Sequence, residues 1–436
     1  MISTWRKKRT RGSYGHLNDY ILFALLIPIA AFWAFTTLLI LQGTGWFKWV
    51  GFDFGCFWSA TQAFLNTGPA SAYDMSIVHA RGIELARISG YFAPDSFVTG
   101  VSPYPPVFFL LIAPFTQLSP VIDFLTWTLL NTGIAIWVIA RLTIGTPLRR
   151  TQIALAALLT FPVMEGLVLG QPTGLMMLVM YKCWHSLVQK REFQSGLWAG
   201  VLLLKPQYAL VIGLFMLLKR RWDFMRGFTL VGLVLAIGST AILGVSGIEA
   251  YIHLLTGISS NSTSIPGIHP GDMLSINALV LNVFPGLTSS MSMLVTIALD
   301  LSCIAFLAWI WRGQWLDDPE TLTYRLLATL VVTLLISNHN YVHGAVLLVI
   351  PCLAICRYRP WTFSMRAILA SSLILPPILF LVAIASGWDW WIPVSQSVLV
   401  LMLAGVLVSY RQGRFFAQER GPIQAAKTLQ GGYLAS

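Results

Sequence analysis

The stretch YILFALLIPIAAFWAFTTLLIL, residues 20–41, carries no charged side chain across 22 positions. At the α-helical rise of 1.5 Å per residue it reaches about 33 Å, enough to cross the roughly 30 Å hydrocarbon core of a bilayer. Immediately upstream lies Trp5-Arg6-Lys7-Lys8-Arg9-Thr10-Arg11, and a basic flank of this kind stays on the cytoplasmic side. The run is too long for the core of a secretory signal, and no clear small-residue cleavage site follows it. It reads as an uncleaved anchor, with residues 1–19 as a basic cytoplasmic N-terminus.

Apolar runs of this kind recur as far as Tyr410. Over the whole chain 56% of residues are hydrophobic and 10% charged, with a mean hydropathy of +0.72, against about 25% charged in a soluble domain. The runs are continuous rather than alternating with period two, which favours helices over a β-barrel. An all-α polytopic membrane protein follows. The net charge of +11 would suggest a nucleic-acid partner in a soluble chain; here Lys and Arg fall in short loops, where they set topology instead. Cys56, Cys183, Cys303, Cys352 and Cys356 are scattered and mostly within apolar segments, so they read as small buried hydrophobes rather than a disulfide framework.

Applying the basic-inside rule loop by loop gives a nearly self-consistent path. Segment 20–41 exits and 122–140 returns to the basic run from Arg141 to Arg150; 152–168 exits and 173–189 returns to Lys190 and Arg191. Segment 227–246 exits and 291–311 returns to Arg312. The hairpins 322–338 with 341–356 and 364–386 with 394–410 end inside at Arg357 and Arg359, then at Arg411 and Arg414. Residues 103–118, punctuated by Pro103, Pro105, Pro106 and Pro114, and residues 196–218, broken at Lys205-Pro206-Gln207, do not fit simple crossings. Each reads as a re-entrant hairpin or a pair of short helices, tolerable at membrane depth where it lines a cavity or packs on protein. The expected total is about 10–13 crossings. The membrane domain then spans 20–410, with a long external first loop at 43–104, a second at 247–290, and a cytoplasmic tail at 411–436. Residues 76–89 read as an amphipathic helix on the interface, with Arg81, Glu84 and Arg87 on its wet face.

This path gathers the polar chemistry outside. Asp53 sits in Gly51-Phe52-Asp53-Phe54-Gly55-Cys56-Phe57-Trp58, a lone carboxylate among aromatics. With it fall the Gly170-Gln171-Pro172 turn, the Lys205 break and the tip His339-Asn340-Tyr341-Val342-His343. Spacing alone leaves two readings of each. Asp53 is a general base or the N-cap of a helix beginning at Phe54. Lys205 binds an anion or snorkels to the interface. His339 and His343 would share a helical face, as metal ligands do, yet no Glu follows His339 as a zinc-protease motif requires, and a hydrogen-bonded polar tip is the simpler reading. Gln171 is a turn residue or a ligand contact, and Tyr104-Pro105-Pro106 a site element or only a helix entry.

The ordered set Asp53-Phe54-Gly55-Cys56-Phe57-Trp58-Ser59-Ala60, Tyr73-Asp74, Tyr104-Pro105-Pro106 with Pro114, Gly170-Gln171, Leu204-Lys205-Pro206-Gln207 and the polar tip at 339–343 resembles glycosyltransferase family 87. The resemblance runs over about residues 20–360. It implies a GT-C-type helical bundle and an inverting transferase. The enzyme would move a hexose, mannose first, from a polyprenyl-phosphate sugar to a glycolipid or glycan acceptor at the outer face of a bacterial inner membrane. Asp53 would take the acceptor proton, and Lys205 and His339 would hold the donor phosphate. Gln171 and Tyr104 would position substrate, with Tyr341, His343 and Trp58 also lining it. No metal or cofactor is implied beyond the lipid-linked co-substrate. One departure stands out: where relatives carry an acidic residue just after the tip aromatic, this chain has His343-Gly344.

Asp300, in the middle of segment 291–311, is not covered by the resemblance; at such depth it either pairs with an interior cation such as Lys182 or is neutral and hydrogen-bonded to a neighbouring helix. A flippase or secondary transporter is the competing class, favoured by the helix count, Lys205 and Asp300, and disfavoured by the absence of an evident internal repeat. A related enzyme using arabinofuranose or glucose is a third reading.

Overall fold

A computed structural model describes residues 26–35, 38, 50–89, 102–143, 147–259, 273–312, 315, 318–337, 340–358, 363–386, 398–400, 402, 405 and 406. The N-terminal stretch 1–19, the tail 411–436 and His339 lie outside them. Helix α1 spans Leu26–Phe35. Segment 43–104 contains α2 (Phe52–Asn66) and α3 (Met75–Ser89), and α4 (Pro106–Ile112) follows it. Then come α5 (Pro120–Leu142), α6 (Pro147–Leu158), α7 (Phe161–Leu169), α8 (Thr173–Val188), α9 (Glu192–Val201) and α10 (Pro206–Leu218). The series ends with α11 (Trp222–Ser259), α12 (Ile276–Val283), α13 (Ser289–Ile310), α14 (Pro319–Ile336), α15 (Val346–Tyr358) and α16 (Phe363–Ser386). Among the described residues there is no strand. The protein is an all-α polytopic membrane protein.

Four of these helices, α5, α11, α13 and α14, are long and apolar enough to cross a bilayer on their own. Several of the remaining expected crossings are broken or short. Segment 152–168 is the pair α6 and α7, bent by 59° where Pro162 enters the second helix. Segment 196–218 is two short helices, α9 and α10, meeting at Lys205. Residues 103–118 form only α4 and a 3₁₀ turn at Ala113–Thr116. Residues 247–290, read from sequence as a loop, open on the last turns of α11, which is kinked at Gly244, and contain α12.

Burial sorts the spanning helices by neighbour. In α14, 78% of the apolar window is buried inside protein, against 11% in α11 and 17% in α13, whose outer faces suit lipid. Helix α14 carries Thr323, Thr329 and Thr333 inward. Thr323 accepts the Trp184 indole N–H at 2.8 Å and Thr329 that of Trp311 at 3.0 Å, so buried indoles find partners without leaving the core. A second cluster caps this core at one end, built from α2, α3, α4 and α11 around Phe57, Tyr104, Phe108 and Leu85. Helix α3 is started by Asp74, whose Oδ1 accepts from Ser76 and Ile77 N–H, and Arg81 pairs with Glu84 on its outer side.

Helices α9 and α11 pack backbone against backbone. A Cβ on Gly196 would fall onto the Phe224 carbonyl, and one on Gly227 onto the Phe193 carbonyl, so the backbones touch. Gly227→Leu therefore forces the two apart. We expect about 1–3 kcal/mol of destabilisation, the usual range for overpacking, visible as a lower midpoint in thermal unfolding of detergent-purified protein. Replacement of the exposed Gly286, whose Cβ would meet nothing within 4 Å, is the matched control.

Candidate active site

Five chain segments deliver polar side chains to one end of the bundle, and each does so at a helix terminus or break. Asp53 lies in the first turn of α2. The helix begins at Phe52, with Gly51 as its N-cap in the left-handed region (φ 65°), so Asp53 sits inside the helix rather than capping one that begins at Phe54. Its carboxylate is directed across the chain: Oδ2 accepts the Gln171 side-chain N–H at 2.7 Å.

Gln171 is set by the tight turn between α7 and α8. Gly170 there has φ 79°, a left-handed conformation that suits glycine, and a Cβ at that position would meet Phe54 Cβ at 2.5 Å. The Trp127 indole donates to the Gly170 carbonyl at 2.8 Å and Gly51 N–H to the Val168 carbonyl at 2.8 Å, tying the turn to α5 and to the start of α2. Gln171 Oε1 accepts from Lys205 Nζ at 3.0 Å and from the Tyr104 hydroxyl at 3.2 Å. With two donors on its oxygen, the amide is oriented and must present its N–H to Asp53.

Lys205 stands in the break before α10, with its Nζ 5.1 Å from the centre of the Tyr104 ring and 5.8 Å from that of Tyr208. Two aromatic faces supply the ammonium with the electron density that water would otherwise provide. Tyr104 is fixed by stacking on Phe108 at 3.8 Å, by the edge of Phe57 at 5.3 Å and by the Tyr73 hydroxyl, which donates to its carbonyl at 3.0 Å. The Tyr208 hydroxyl donates to Asn340 Oδ1 at 2.8 Å, linking the Lys205 break to the loop between α14 and α15. A Cβ on Gly344 would fall on that same hydroxyl and on Asn340 Oδ1, so the residue after His343 has no room for a side chain.

Of the residues picked out in the sequence, the structure brings Asp53, Gln171, Lys205 and Tyr104 into one hydrogen-bonded chain. Tyr341 and His343 lie alongside, their rings stacked at 6.0 Å. Trp58 is not in this chain; it is buried in the capping cluster, while Phe57 one position earlier is the α2 aromatic that meets Tyr104. Asp300 is half-buried on α13 and Lys182 lies over the Trp137 ring at 5.9 Å, so the two do not form the ion pair considered from the sequence. Sequence reading passed over Glu165. This α7 residue accepts the His343 backbone N–H and lies within Coulombic reach of Asp53. The available signal was a lone carboxylate inside an apolar run, as at Asp300.

Burial disfavours charge on Asp53 and lifts its pKa to about 6, against the opposing pull of the Gln171 hydrogen bond and the Lys205 ammonium. A carboxylate so poised is ionised at neutral pH yet basic enough to accept a proton.

The profile of glycosyltransferase family 87 matches residues 103–338, more than half of the chain. The protein belongs to that family and is a membrane glycosyltransferase. The matched stretch holds Tyr104, Glu165, Gln171 and Lys205; Asp53 precedes it and Asn340 to His343 follow it. No curated protein matches the chain.

Gln171→Leu removes the hydrogen bond to the Asp53 carboxylate while its bulk still keeps Lys205 apart, and so should raise the Asp53 pKa further. If glycosyl transfer requires ionised Asp53, its rate falls as pH drops through about 6 in the wild type. In Gln171→Leu the same limb should lie at higher pH, so the variant loses more rate at pH 6.5 than at pH 8. Superimposable pH profiles would sever Gln171 from the Asp53 titration.

Proposed function

We propose that the enzyme transfers mannose from a polyprenyl-phosphate sugar to an acceptor hydroxyl at the outer face of the membrane, with inversion at the anomeric carbon. The observation that carries this reading is the Asp53–Gln171–Lys205 chain, which holds a carboxylate and an ammonium in one pocket without letting them pair directly. Asp53 removes the proton of the acceptor hydroxyl as that oxygen attacks the anomeric carbon. The bond from that carbon to the donor phosphate oxygen breaks, its electron pair stays on the oxygen, and polyprenyl phosphate departs. Lys205 meets the developing negative charge. Helices α2, α8 and α10 all begin at the pocket, and their positive dipole ends favour an anion there. His339 of the neighbouring tip is assigned to the same phosphate.

A lipid-linked donor also needs a seat for its hydrocarbon. A cleft of about 120 Å³, almost wholly apolar, lies between α7, α15 and α16; its wall includes Leu274, Val342, Ala345, Leu348, Cys352 and Cys356. From Val342 to Cys356 the wall covers about 20 Å at a helical rise, two thirds of the hydrocarbon thickness. Its near end adjoins the tip, where Leu274 N–H donates to the Asn340 carbonyl. An isoprenoid in the cleft would therefore place its phosphate beside Asn340, His343 and the Lys205 break. Mannose as the sugar and a GT-C-type bundle are the parts of this reading that the family resemblance supplies.

The test is transfer of radiolabel from synthetic polyprenyl-phosphate mannose to a membrane lipid extract by purified protein. Asp53→Asn, at equal folded amounts, should lose about 10²–10⁴ of the rate, the usual contribution of a positioned base. Equal rates would remove Asp53 from the chemistry, and a folded wild type that uses only another lipid-linked sugar would replace mannose. Filling the cleft with Ala345→Trp should raise KM for a long-chain donor about tenfold, the loss of roughly two buried methylenes, while a donor with a single isoprene unit is used as before. A KM that rises equally for both chain lengths would place the lipid elsewhere.

A further inference from the structure

Glu165 is a carboxyl group close to the site that the proposed chemistry leaves without a task. It lies in the middle of α7, whose apolar neighbours Val163 and Leu167 are buried, and it accepts the His343 backbone N–H. That bond uses one carboxyl oxygen and fixes the other. Oε2 is closed to solvent and has no hydrogen-bond partner among the described residues. A buried acceptor left without a donor is costly, and native proteins retain such groups where a ligand or an ordered water completes them.

The backbone around Glu165 offers no slack for a different purpose. Helix α7 leaves α6 at a 59° bend, so its short axis is aimed differently from a straight crossing. The next residue, Gly166, abuts the Thr173 hydroxyl and the Cβ of His343, which locks α7 against α8 and the tip. Glu165 thus lies against His343 and near enough to Asp53 for the two charges to interact. Under the donor reading the sugar occupies this neighbourhood: Asp53 meets the acceptor hydroxyl and the anomeric carbon, while the tip adjoins the lipid cleft.

We propose that Glu165 Oε2 accepts a hydrogen bond from a hydroxyl of the transferred hexose and so helps to set which sugar the enzyme uses. The inference rests on the donor reading given above and adds the residue that reads the sugar. A sugar hydroxyl exchanges a hydrogen bond readily with a carboxyl oxygen closed to water, and a site that has lost its partner group discriminates strongly against the analogue lacking it. No bond is made or broken at Glu165. Its role is recognition, separate from the proton transfer at Asp53.

The test pairs Glu165→Ala with a panel of donors: polyprenyl-phosphate mannose and its 2-, 3-, 4- and 6-deoxy forms. In the wild type one deoxy donor should lose about 10- to 100-fold in kcat/KM beyond the others, the usual cost of leaving one buried hydrogen-bonding group unpaired. In Glu165→Ala that penalty should shrink to within about twofold of unity while the penalties on the other three stay as they were. A variant damaged only in packing would slow every donor by the same factor and keep the pattern. Glu165→Gln, which retains an oxygen at the site, should keep part of the selective penalty and serves as the readout if the Ala variant does not fold. An unchanged deoxy pattern in the folded variants overturns the assignment of Glu165 and leaves the donor reading standing. Failure of folded wild type to use any donor of the panel overturns the donor reading and the inference with it.

Discussion

An amide stands between a carboxylate and an ammonium at the centre of this protein. Asp53 and Lys205 lie close together and shielded from water, where a direct ion pair would satisfy both charges and leave neither for a substrate. Gln171 prevents that by taking Lys205 on its oxygen and Asp53 on its nitrogen. Asp53 Oδ1 and the remaining ammonium protons stay unclaimed by any described residue. Much of the local architecture serves this arrangement. The left-handed Gly170 brings Gln171 around the corner between α7 and α8, the break before α10 lets Lys205 turn inward, and the Tyr104 ring closes the third side. A straight transmembrane helix offers no such positions, because its backbone polar groups are all consumed internally.

This need for breaks explains what hydropathy reveals and what it conceals. The apolar runs identify helices because each must satisfy its own backbone in lipid, and α5, α11, α13 and α14 fall where those runs lie. Hydropathy measures transfer out of water and cannot tell lipid from protein on the far side. Segment 322–338 reads in sequence like any other crossing, yet α14 is the buried axis of the bundle and even encloses Arg325, whose guanidinium lies 5.3 Å from the Trp311 ring. The bend between α6 and α7 is equally invisible as a number, since the apolar run continues across it. Its traces are the pair Phe161-Pro162 and the Thr160 before them.

The site was legible where a polar residue sits beside a turn former: Asp53 after Gly51, Gln171 between Gly170 and Pro172, Lys205 before Pro206, Tyr104 before Pro105. That these four meet was carried by the family resemblance, because no spacing along the chain encodes a contact between distant segments. Helical phase was the weaker point. On α2 a shift of one residue turns the side chain by about 100°, and it is Phe57, not Trp58, that reaches Tyr104. Phase also separates Glu165 from Asp300. Both are lone carboxylates in apolar helices, and only the fold reveals that one lies within Coulombic reach of Asp53 while the other stands on peripheral α13.

A large helical bundle with charged groups at membrane depth is equally the description of a transporter, and the family membership decides for an enzyme. The physical distinction is in how the polar groups are bound. A carrier must release its cargo on both sides, which asks for a site that changes partners between states. Here Gly170, Trp127, Tyr104, Tyr208 and Asn340 fix the polar residues through buried hydrogen bonds and stacked rings to the three helices α4, α5 and α10. Rigidity of that kind suits a site complementary to charge that develops during a reaction, because its dipoles need not reorganise as that charge forms. The apolar cleft begins beside the same tip that carries Asn340 and His343. One amphipathic molecule, anionic at the head and hydrocarbon in the tail, is complementary to both at once, and under the proposed reading the lipid would be seated before the sugar is presented to Asp53.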